Sequence, residues 1–141
     1  MSKPLLGITV LGDFIVSEGV QPVMDNLLKV GATAVAVNPT VTCQADAATG
    51  KFQPPADAGH SPRQFDRPLF GKQALWLRGA PSFRPREHLY GDSPYEPRRA
   101  NDLTDLLGPL IGQFIAACAE HAIRVYLQLR APQAPALRAE G

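Results

Sequence analysis

The chain has 141 residues, of which 45% are hydrophobic, and its formal net charge is +1. This length suits one domain with its own core, and the hydrophobic fraction excludes a wholly disordered chain. The near-neutral charge argues against a dedicated nucleic-acid-binding protein, and the sequence has no apolar run of the roughly 18 residues that a membrane helix requires.

Residues 1–39 predict a strand, a helix and a second strand. Leu5–Val16 is an apolar run typical of a strand that is buried on both faces. Apolar residues then recur at helical spacing over residues 20–30, and Gly31 favours the end of that helix. The sequence ATAVAVNP predicts a short strand that ends at Asn38-Pro39, because proline restricts the residue before it to an extended or turn conformation.

The start of the chain is interpreted as a strand and not as a signal peptide. Gly7 and Gly12 interrupt the apolar run, and Asp13 stands where a small-residue cleavage site would be expected. We therefore predict a cytoplasmic protein.

Residues 40–101 are rich in proline, arginine and aromatic side chains. The proline density argues against long regular elements, so we expect a long loop excursion with one short strand or helical turn near KQALWLR, residues 72–78. Aromatic residues distinguish this segment from a disordered linker: Phe52, Phe65, Phe70, Trp76, Phe83, Tyr90 and Tyr95. Loops of this length inside compact domains are often functional.

Residues 102–131 predict a helix and a third strand. Asn101 or Asp102 can cap a helix that runs from about Leu103 to Ala122, and IRVYLQLRA predicts the strand. The tail, residues 132–141, gives no clear element. The alternation of strands and helices predicts one α/β unit with a parallel sheet.

Ligands of parallel sheets gather at the carboxyl ends of the strands. This rule selects residues that follow each predicted strand: Asp13 and Glu18 after the first, Asn38 and Thr40 after the second, and Gln128 and Arg130 at the end of the third.

The segments LGITVLGDF, VMDNLLKVGATAVAVNP, RPLFGKQALW, LYGDSPYEP and NDLTDLLGPLIGQFIAACAEHAIRVYLQL together resemble the N-terminal part of glycoside-hydrolase-like (β/α)8 barrel proteins. The resemblance implies a partial barrel-like unit of about three β/α units, with a long Pro-rich aromatic loop at the substrate rim. A complete barrel has eight strands in about 250 residues. The resemblance therefore implies a truncated product, a fragment or one piece of an assembly, which binds or processes carbohydrate without complete catalysis of its own.

Glycoside hydrolysis requires two carboxylates that face each other across the scissile bond. Asp13 and Glu18 are the catalytic candidates, although a solvated turn and a helix cap explain them more simply. Glu87, Asp92 and Glu96 lie among arginines and are interpreted as members of surface ion pairs.

Six residues are the substrate-binding candidates: Asn38, Trp76, Tyr90, Tyr95, Gln128 and Arg130. The three aromatic members can stack on sugar rings, because a flat apolar face with a polar tip suits a sugar. The alternative is that they attach the Pro-rich loop to the rest of the fold.

The sequence predicts neither a metal site nor a cofactor. His60, His88 and His121 lack metal-ligand spacing, and no Gly-rich phosphate-binding motif is present. Two cysteines are too few for a disulfide framework. Cys118 lies in an apolar helical pattern and is interpreted as a buried structural thiol, whereas Cys43 can act as a nucleophile only beside a base.

Two further hypotheses compete with the barrel segment. One is a small α/β binding or interaction module whose aromatic loop is the contact surface. The other is a small α/β enzyme with Cys43 or Asp13 as its reactive group. Because a three-stranded parallel sheet leaves edges and a face open, we also expect self-association or a completing chain, and we expect no nucleic-acid or membrane partner.

Overall fold

The computed structural model describes residues 4–54, 64–65, 67–97, 99–128 and 136–137. In chain order, its elements are β1 (Gly7–Val10), α1 (Gly12–Glu18), α2 (Val20–Val30), β2 (Ala34–Val37), β3 (Thr40–Gln44), β4 (Lys51–Gln53), β5 (Leu75–Pro81), a 3-10 helix (Glu87–Tyr90), β6 (Tyr95–Glu96), α3 (Asp102–Glu120), β7 (Arg124–Leu127) and β8 (Ala136–Leu137). The protein is mixed α/β, as the sequence predicts. Across these residues, no helix combines the length and the apolar character needed to cross a membrane.

The predicted parallel sheet is confirmed. Its strand order is β1-β2-β7, and both pairings are parallel. Val35 of the central strand lies between Ile8 and Val125, and Val37 lies between Val10 and Leu127. Val37 is fully buried, because its strand has a hydrogen-bonded neighbour on each side and helices over it.

Helices cover one face of this sheet. Val35 of β2 belongs to a buried core with Met24 of α2 and Phe114 of α3. Because side chains alternate along a strand, Thr9 and Tyr126 point to the opposite face. Tyr126 is 52% exposed there, and neither Thr9 nor Tyr126 belongs to the core that the helices cover.

The first strand is shorter than the sequence predicts. The predicted strand Leu5–Val16 divides into β1 and the helix α1, which begins at Gly12. Ile15 is fully buried in the core from its place on this helix. The apolar run was misleading because a short apolar helix and a buried strand share the same composition.

The segment 40–101 contains a second sheet, which corrects the prediction of a long loop with one short element. The strand expected near KQALWLR is β5, and it pairs antiparallel with β3 on one side and β4 on the other. The prolines lie at the strand ends and leave the ladder intact: Pro39 precedes β3, Pro54 follows β4 and Pro81 ends β5.

The second sheet is held between α1 and α3. Val41 of β3 and Ala80 of β5 pair with each other and are buried in the main core. Two helical glycines allow the close approach, since a Cβ on Gly12 would lie 2.0 Å from the carbonyl oxygen of Thr40, and one on Gly108 would lie 2.3 Å from that of Ser82.

A smaller core forms on the other face of β5. Leu69, Leu75 and Leu77 are buried together, with Phe14, Phe65 and Phe70 packed against them. Phe14 and Phe65 meet edge to face at 6.4 Å between ring centroids. Part of the predicted excursion is therefore packed against α1.

Helix α3 begins as the sequence predicts. The side-chain oxygen of Asn101 accepts a hydrogen bond from the Leu103 amide at 2.9 Å, and the Thr104 hydroxyl accepts one from the Asn101 amide at 3.2 Å. This reciprocal capping box satisfies amides that a helix leaves without partners. The tail prediction falls largely outside the described residues, apart from β8, which pairs with β6.

Candidate functional site

Asn38 is buried where the carboxyl ends of β1 and β2 meet. Its side-chain oxygen accepts a hydrogen bond from the Gly12 amide at 2.7 Å, and its side-chain nitrogen donates to the Thr40 hydroxyl. Both ends of the amide are therefore engaged within the protein. Asn38 joins the start of α1 to the start of β3, and it is 7% exposed.

Asp13 and Glu18 lie at the two ends of α1. Thr42 donates a hydrogen bond to Asp13 at 3.1 Å, while Arg67 forms a two-point ion pair with Glu18 at 2.6 and 2.8 Å. The two residues are five positions apart on the helix, which separates their α-carbons by roughly 7.5 Å along the axis and about 140° around it. They therefore do not face each other across one site.

The third strand contributes Gln128, which is exposed directly after β7. Its backbone amide donates to the Val37 carbonyl at 2.9 Å and continues the parallel ladder by one residue. Arg130 lies outside the described residues.

Trp76 stands on the second sheet as part of an aromatic platform, which we define as Phe52 and Trp76. The two residues are directly paired across β4 and β5, and their rings meet at 5.4 Å and 70°. Phe52 is 42% exposed and Trp76 is 36% exposed. Since both rings lie on the same side of the ladder, they form one apolar surface open to solvent.

A charged pair borders this platform. Arg78 lies two residues after Trp76 on the same face of β5, and it donates two hydrogen bonds to Asp102 at 3.0 and 2.8 Å. The bond from Arg78 is the main reason that the pKa of Asp102 is below its ordinary value, and it likewise raises the pKa of Arg78. Both groups are therefore ionised at neutral pH.

Cys43 is directly opposite Arg78 in the β3–β5 ladder and is half-buried. A guanidinium is a permanent cation and cannot accept the thiol proton. Arg78 therefore does not supply the base that a nucleophilic Cys43 requires. Cys118 is fully buried beside Met24, at 3.8 Å between the sulfur atoms, and burial raises the pKa of its thiol to about 11. This environment supports a structural Cys118.

Tyr90 and Tyr95 lie on other elements than the aromatic platform. Tyr90 ends the 3-10 helix and is half-buried, while Tyr95 begins β6 and is 48% exposed. Ser93 joins them, since its hydroxyl donates to the Tyr90 carbonyl at 3.2 Å and accepts from the Tyr95 amide at 3.2 Å.

Beside these tyrosines is a polar groove of about 620 Å³. We define the polar groove by its lining residues, which are Arg84, Pro85, Glu87, Glu96, Pro97, Arg99 and Ala100. The prediction that Glu87, Asp92 and Glu96 belong to surface ion pairs is not confirmed, because the ion pairs found among the described residues include none of the three. Arg84 instead pairs with Asp105 of α3.

Among the described residues, β1 and β7 are the edge strands of the parallel sheet, and an apolar groove adjoins each of them. The groove beside β7 has a volume of about 600 Å³ and includes Phe83, Ile115 and Leu127. The groove beside β1 has a volume of about 460 Å³ and includes Val30 and Phe65. The sheet therefore ends on both sides in apolar surface.

Sequence reasoning missed Phe52, Arg78 and Asp102 as members of the candidate site around Trp76. The signal for Arg78 was the alternation in ALWLR, because residues 76 and 78 of a strand share one face. Nothing in the sequence alone indicates that β4 brings Phe52 against Trp76, or that α3 brings Asp102 against Arg78.

Within the described ranges, no group of three or more His, Cys, Asp or Glu side chains is placed to hold a metal ion. Comparisons with protein-family models, with curated proteins and with solved structures found no match to this chain.

Proposed function

We propose that this chain is a segment of a (β/α) barrel wall and that it binds carbohydrate at the carboxyl-end rim, without complete catalysis of its own. The β1-β2-β7 order and the helices on one face support this architecture. A parallel sheet is normally covered on both faces, either by helices or by the closure of a barrel. A barrel leaves its inner face free of helices, which matches the face that carries Tyr126.

The observation that carries the carbohydrate assignment is the solvent-exposed Phe52–Trp76 pair beside the Arg78–Asp102 pair. Aromatic rings contact the C–H faces of sugars, while guanidinium and carboxylate groups exchange hydrogen bonds with neighbouring hydroxyls. The platform offers both kinds of contact on one strand face. It therefore suits a ring with an apolar side and a polar rim.

The positions of Asp13 and Glu18 favour binding over hydrolysis. Each carboxylate is engaged by a protein side chain, and the two point to different sides of α1. A hydrolase needs two carboxylates across one bond. This chain therefore acts in the proposal as a binding segment.

Within the part of the chain that the structure describes, the unpaired edges of β1 and β7 and the exposed Tyr126 support a partner that completes the sheet, either a second copy or a helper chain. Sedimentation analysis of the full chain tests this part of the proposal. We expect self-association that depends on concentration, or assembly with an added helper chain. A compact monomer with low exposure of apolar surface to a hydrophobic dye would contradict it.

Trp76→Ala tests the carbohydrate assignment. Calorimetric titration with cellohexaose, xylohexaose and maltohexaose should show binding of at least one oligosaccharide, and Trp76→Ala should weaken it by at least tenfold. Phe83→Ala is the matched control, because Phe83 is also an exposed aromatic residue but lies on the apolar groove beside β7. Equal weakening by both substitutions, or no binding by the unmodified chain, would contradict the assignment.

A second candidate is a protein-interaction module that uses the same aromatic segment. Exposed apolar side chains favour it, since Leu89 of the 3-10 helix and Phe83 are both largely exposed in addition to the platform. In that case Trp76→Ala abolishes binding of a protein partner, and calorimetric titration detects no binding of the oligosaccharides.

A further inference from the structure

The β7 edge of the parallel sheet directs backbone groups away from the sheet. The amides of Arg124 and Gln128 donate to carbonyl oxygens of the β2 segment at 3.0 and 2.9 Å. Alternate residues of a strand direct their N–H and C=O groups to opposite edges, so those of Val125 and Leu127 point away from β2. Within the described residues, no other strand pairs with this edge.

The β1 edge has the same character on the opposite side of the sheet. The Ala34 amide of β2 donates to the Leu6 carbonyl at 3.2 Å, which places residue 6 on the side that faces β2. By the same alternation, Gly7 and Thr9 direct their backbone groups away from β2. No strand of the described ranges pairs with them. Because all three strands are parallel, the β7 edge of one copy can continue the ladder on the β1 edge of another.

A second copy placed in this way also continues the side-chain rows of the sheet. Ile8, Val35 and Val125 form one row across the three strands, on the face that the helices cover. The alternation of both backbone and side chains aligns Val125 with Ile8 of the second copy, and a shift of two residues keeps the same face. The apolar layer is therefore continuous across the contact.

The apolar grooves beside the two edges lie on this same helical side. The groove beside β7 is lined by exposed Phe83 and Leu127, and the groove beside β1 is lined by exposed Val30 together with Phe65. Parallel pairing of the edges brings the two grooves against each other. These side chains are then removed from water, which is the favourable term of such a contact.

The two grooves are also complementary in charge. Arg84 and Asp105 form an ion pair on the groove beside β7, and Arg67 and Glu18 form one on the groove beside β1. Each arginine binds its carboxylate through two of its nitrogens, so N–H groups are left to donate to the carboxylate of the other copy. Both pairs lie towards the carboxyl end of the sheet, since Glu18 ends α1 and Asp105 is in the first turn of α3. Such contacts determine orientation more than affinity.

We propose that the β7 edge of one copy of this chain docks in parallel on the β1 edge of a second copy, so that the two apolar grooves close on each other. This inference rests on the proposed function, since it names the partner that completes the sheet, and it does not depend on the carbohydrate assignment. The contact is head-to-tail, so each copy uses two different surfaces. A copy that is blocked at one edge therefore still offers the other edge.

Two edge variants test this arrangement in the full chain. Leu127→Lys blocks the β7 edge and Val30→Lys blocks the β1 edge, and both side chains are more than half exposed, so circular dichroism should remain unchanged. Sedimentation velocity should show that the unmodified chain self-associates and that each variant alone associates at least tenfold more weakly. Every head-to-tail contact within one variant would place a lysine in an apolar groove, where its charge is costly to desolvate.

An equimolar mixture of the two variants gives the decisive result. It should form a one-to-one complex, because the intact β7 edge of the Val30→Lys chain meets the intact β1 edge of the Leu127→Lys chain. Leu28→Lys is the matched control, since Leu28 is also an exposed apolar residue of α2 but does not line the groove. This control should associate like the unmodified chain.

Each other outcome overturns the inference. A monomeric unmodified chain overturns self-docking, while loss of association in one edge variant alone indicates a symmetric contact of that edge. A mixture that does not associate, or an equal loss in Leu28→Lys, overturns the pairing of β7 with β1. Oligosaccharide titration of Trp76→Ala reports separately on the carbohydrate assignment, because Trp76 lies on β5 and lines neither groove.

Discussion

The carbonyl oxygen of Thr40 lies against the α-carbon of Gly12, so close that a Cβ on Gly12 would be 2.0 Å from it. Gly12 also donates its amide proton to Asn38. Gly12 therefore contacts Asn38, which follows β2, through its amide. It also packs directly against Thr40, the first residue of β3, because it has no side chain. This contact fixes the position of the second sheet, and with it the aromatic platform, relative to the parallel sheet.

Gly12→Ala should destabilise the fold by about 3 kcal/mol, at the upper end of the usual range for overpacking, because the obstructing atom belongs to the backbone and cannot rotate away. Urea unfolding followed by circular dichroism measures the effect. Gly7→Ala is the control, since its Cβ would meet nothing within 4 Å. Equal stability of the two variants would contradict the close packing of α1 on β3.

Gly108 and Gly112 of α3 provide a second matched pair. Gly108→Ala should destabilise the protein by about 2 kcal/mol, because its Cβ would lie 2.3 Å from the Ser82 carbonyl oxygen. Gly112→Ala should stabilise it by up to about 1 kcal/mol, because that position is open and alanine favours a helix. The midpoint of urea unfolding distinguishes the two, and a loss of stability in both variants would contradict the open position of Gly112.

Asn38→Ala should lower the free energy of unfolding by about 1–3 kcal/mol, because the Gly12 amide would lose its acceptor in a buried position. The measurement is again urea unfolding, with Asn26→Ala of α2 as the control. Asn26 is exposed, so that change should remain within about 0.5 kcal/mol. An unchanged unfolding midpoint for Asn38→Ala would show that the buried amide does not join the two strand ends.

The sequence was most informative where one local pattern determines one element. Helix α2 has helical apolar spacing and ends at Gly31, whose φ of 75° is the left-handed conformation that glycine favours. The β-α-β order likewise predicted the parallel sheet. The second sheet was missed because its antiparallel pairings join β3 and β4 to β5 across a long stretch of chain. Such non-local pairing leaves only short, ambiguous strand patterns in the sequence.

The candidate site was predictable only in part, for a related reason. Trp76 could be selected as an aromatic residue in an unusual loop, and the structure places it on an exposed strand face. Asn38 was selected by its position after a strand, yet its burial and its two hydrogen bonds depend on α1 and β3. The position of a residue at a strand end therefore does not reveal whether its polar atoms face solvent or the protein.

Asp102→Asn should reduce stability at neutral pH, because it removes the carboxylate that Arg78 binds. The pKa of Asp102 in the folded protein is below its value of 3.8 in the unfolded chain. Its contribution to stability is therefore present above pH 3.8 and is lost as the pH falls through the lower, folded pKa.

Thermal unfolding over a pH series checks this sign. The difference in Tm between the original chain and Asp102→Asn should be largest near neutral pH and should fall towards zero at acidic pH. Asp92→Asn removes the same charge from the turn before β6 and serves as the control. A Tm difference for Asp102→Asn that persists unchanged at the acid end would indicate lost packing in place of a lost ion pair.

The two thiols should differ in reactivity. Iodoacetamide is expected to label Cys43 in the native protein and both cysteines in urea, because Cys43 is half-buried while Cys118 is fully buried. Burial raises the pKa of Cys118 from 9.0 to about 11, so its protection should persist as the pH rises through 9, where an ordinary thiol is already half ionised. Mass spectrometry of the labelled peptides measures both rates, and Cys43→Ser identifies the reactive site. Equal native labelling of the two cysteines would show that α3 does not enclose Cys118 against Met24.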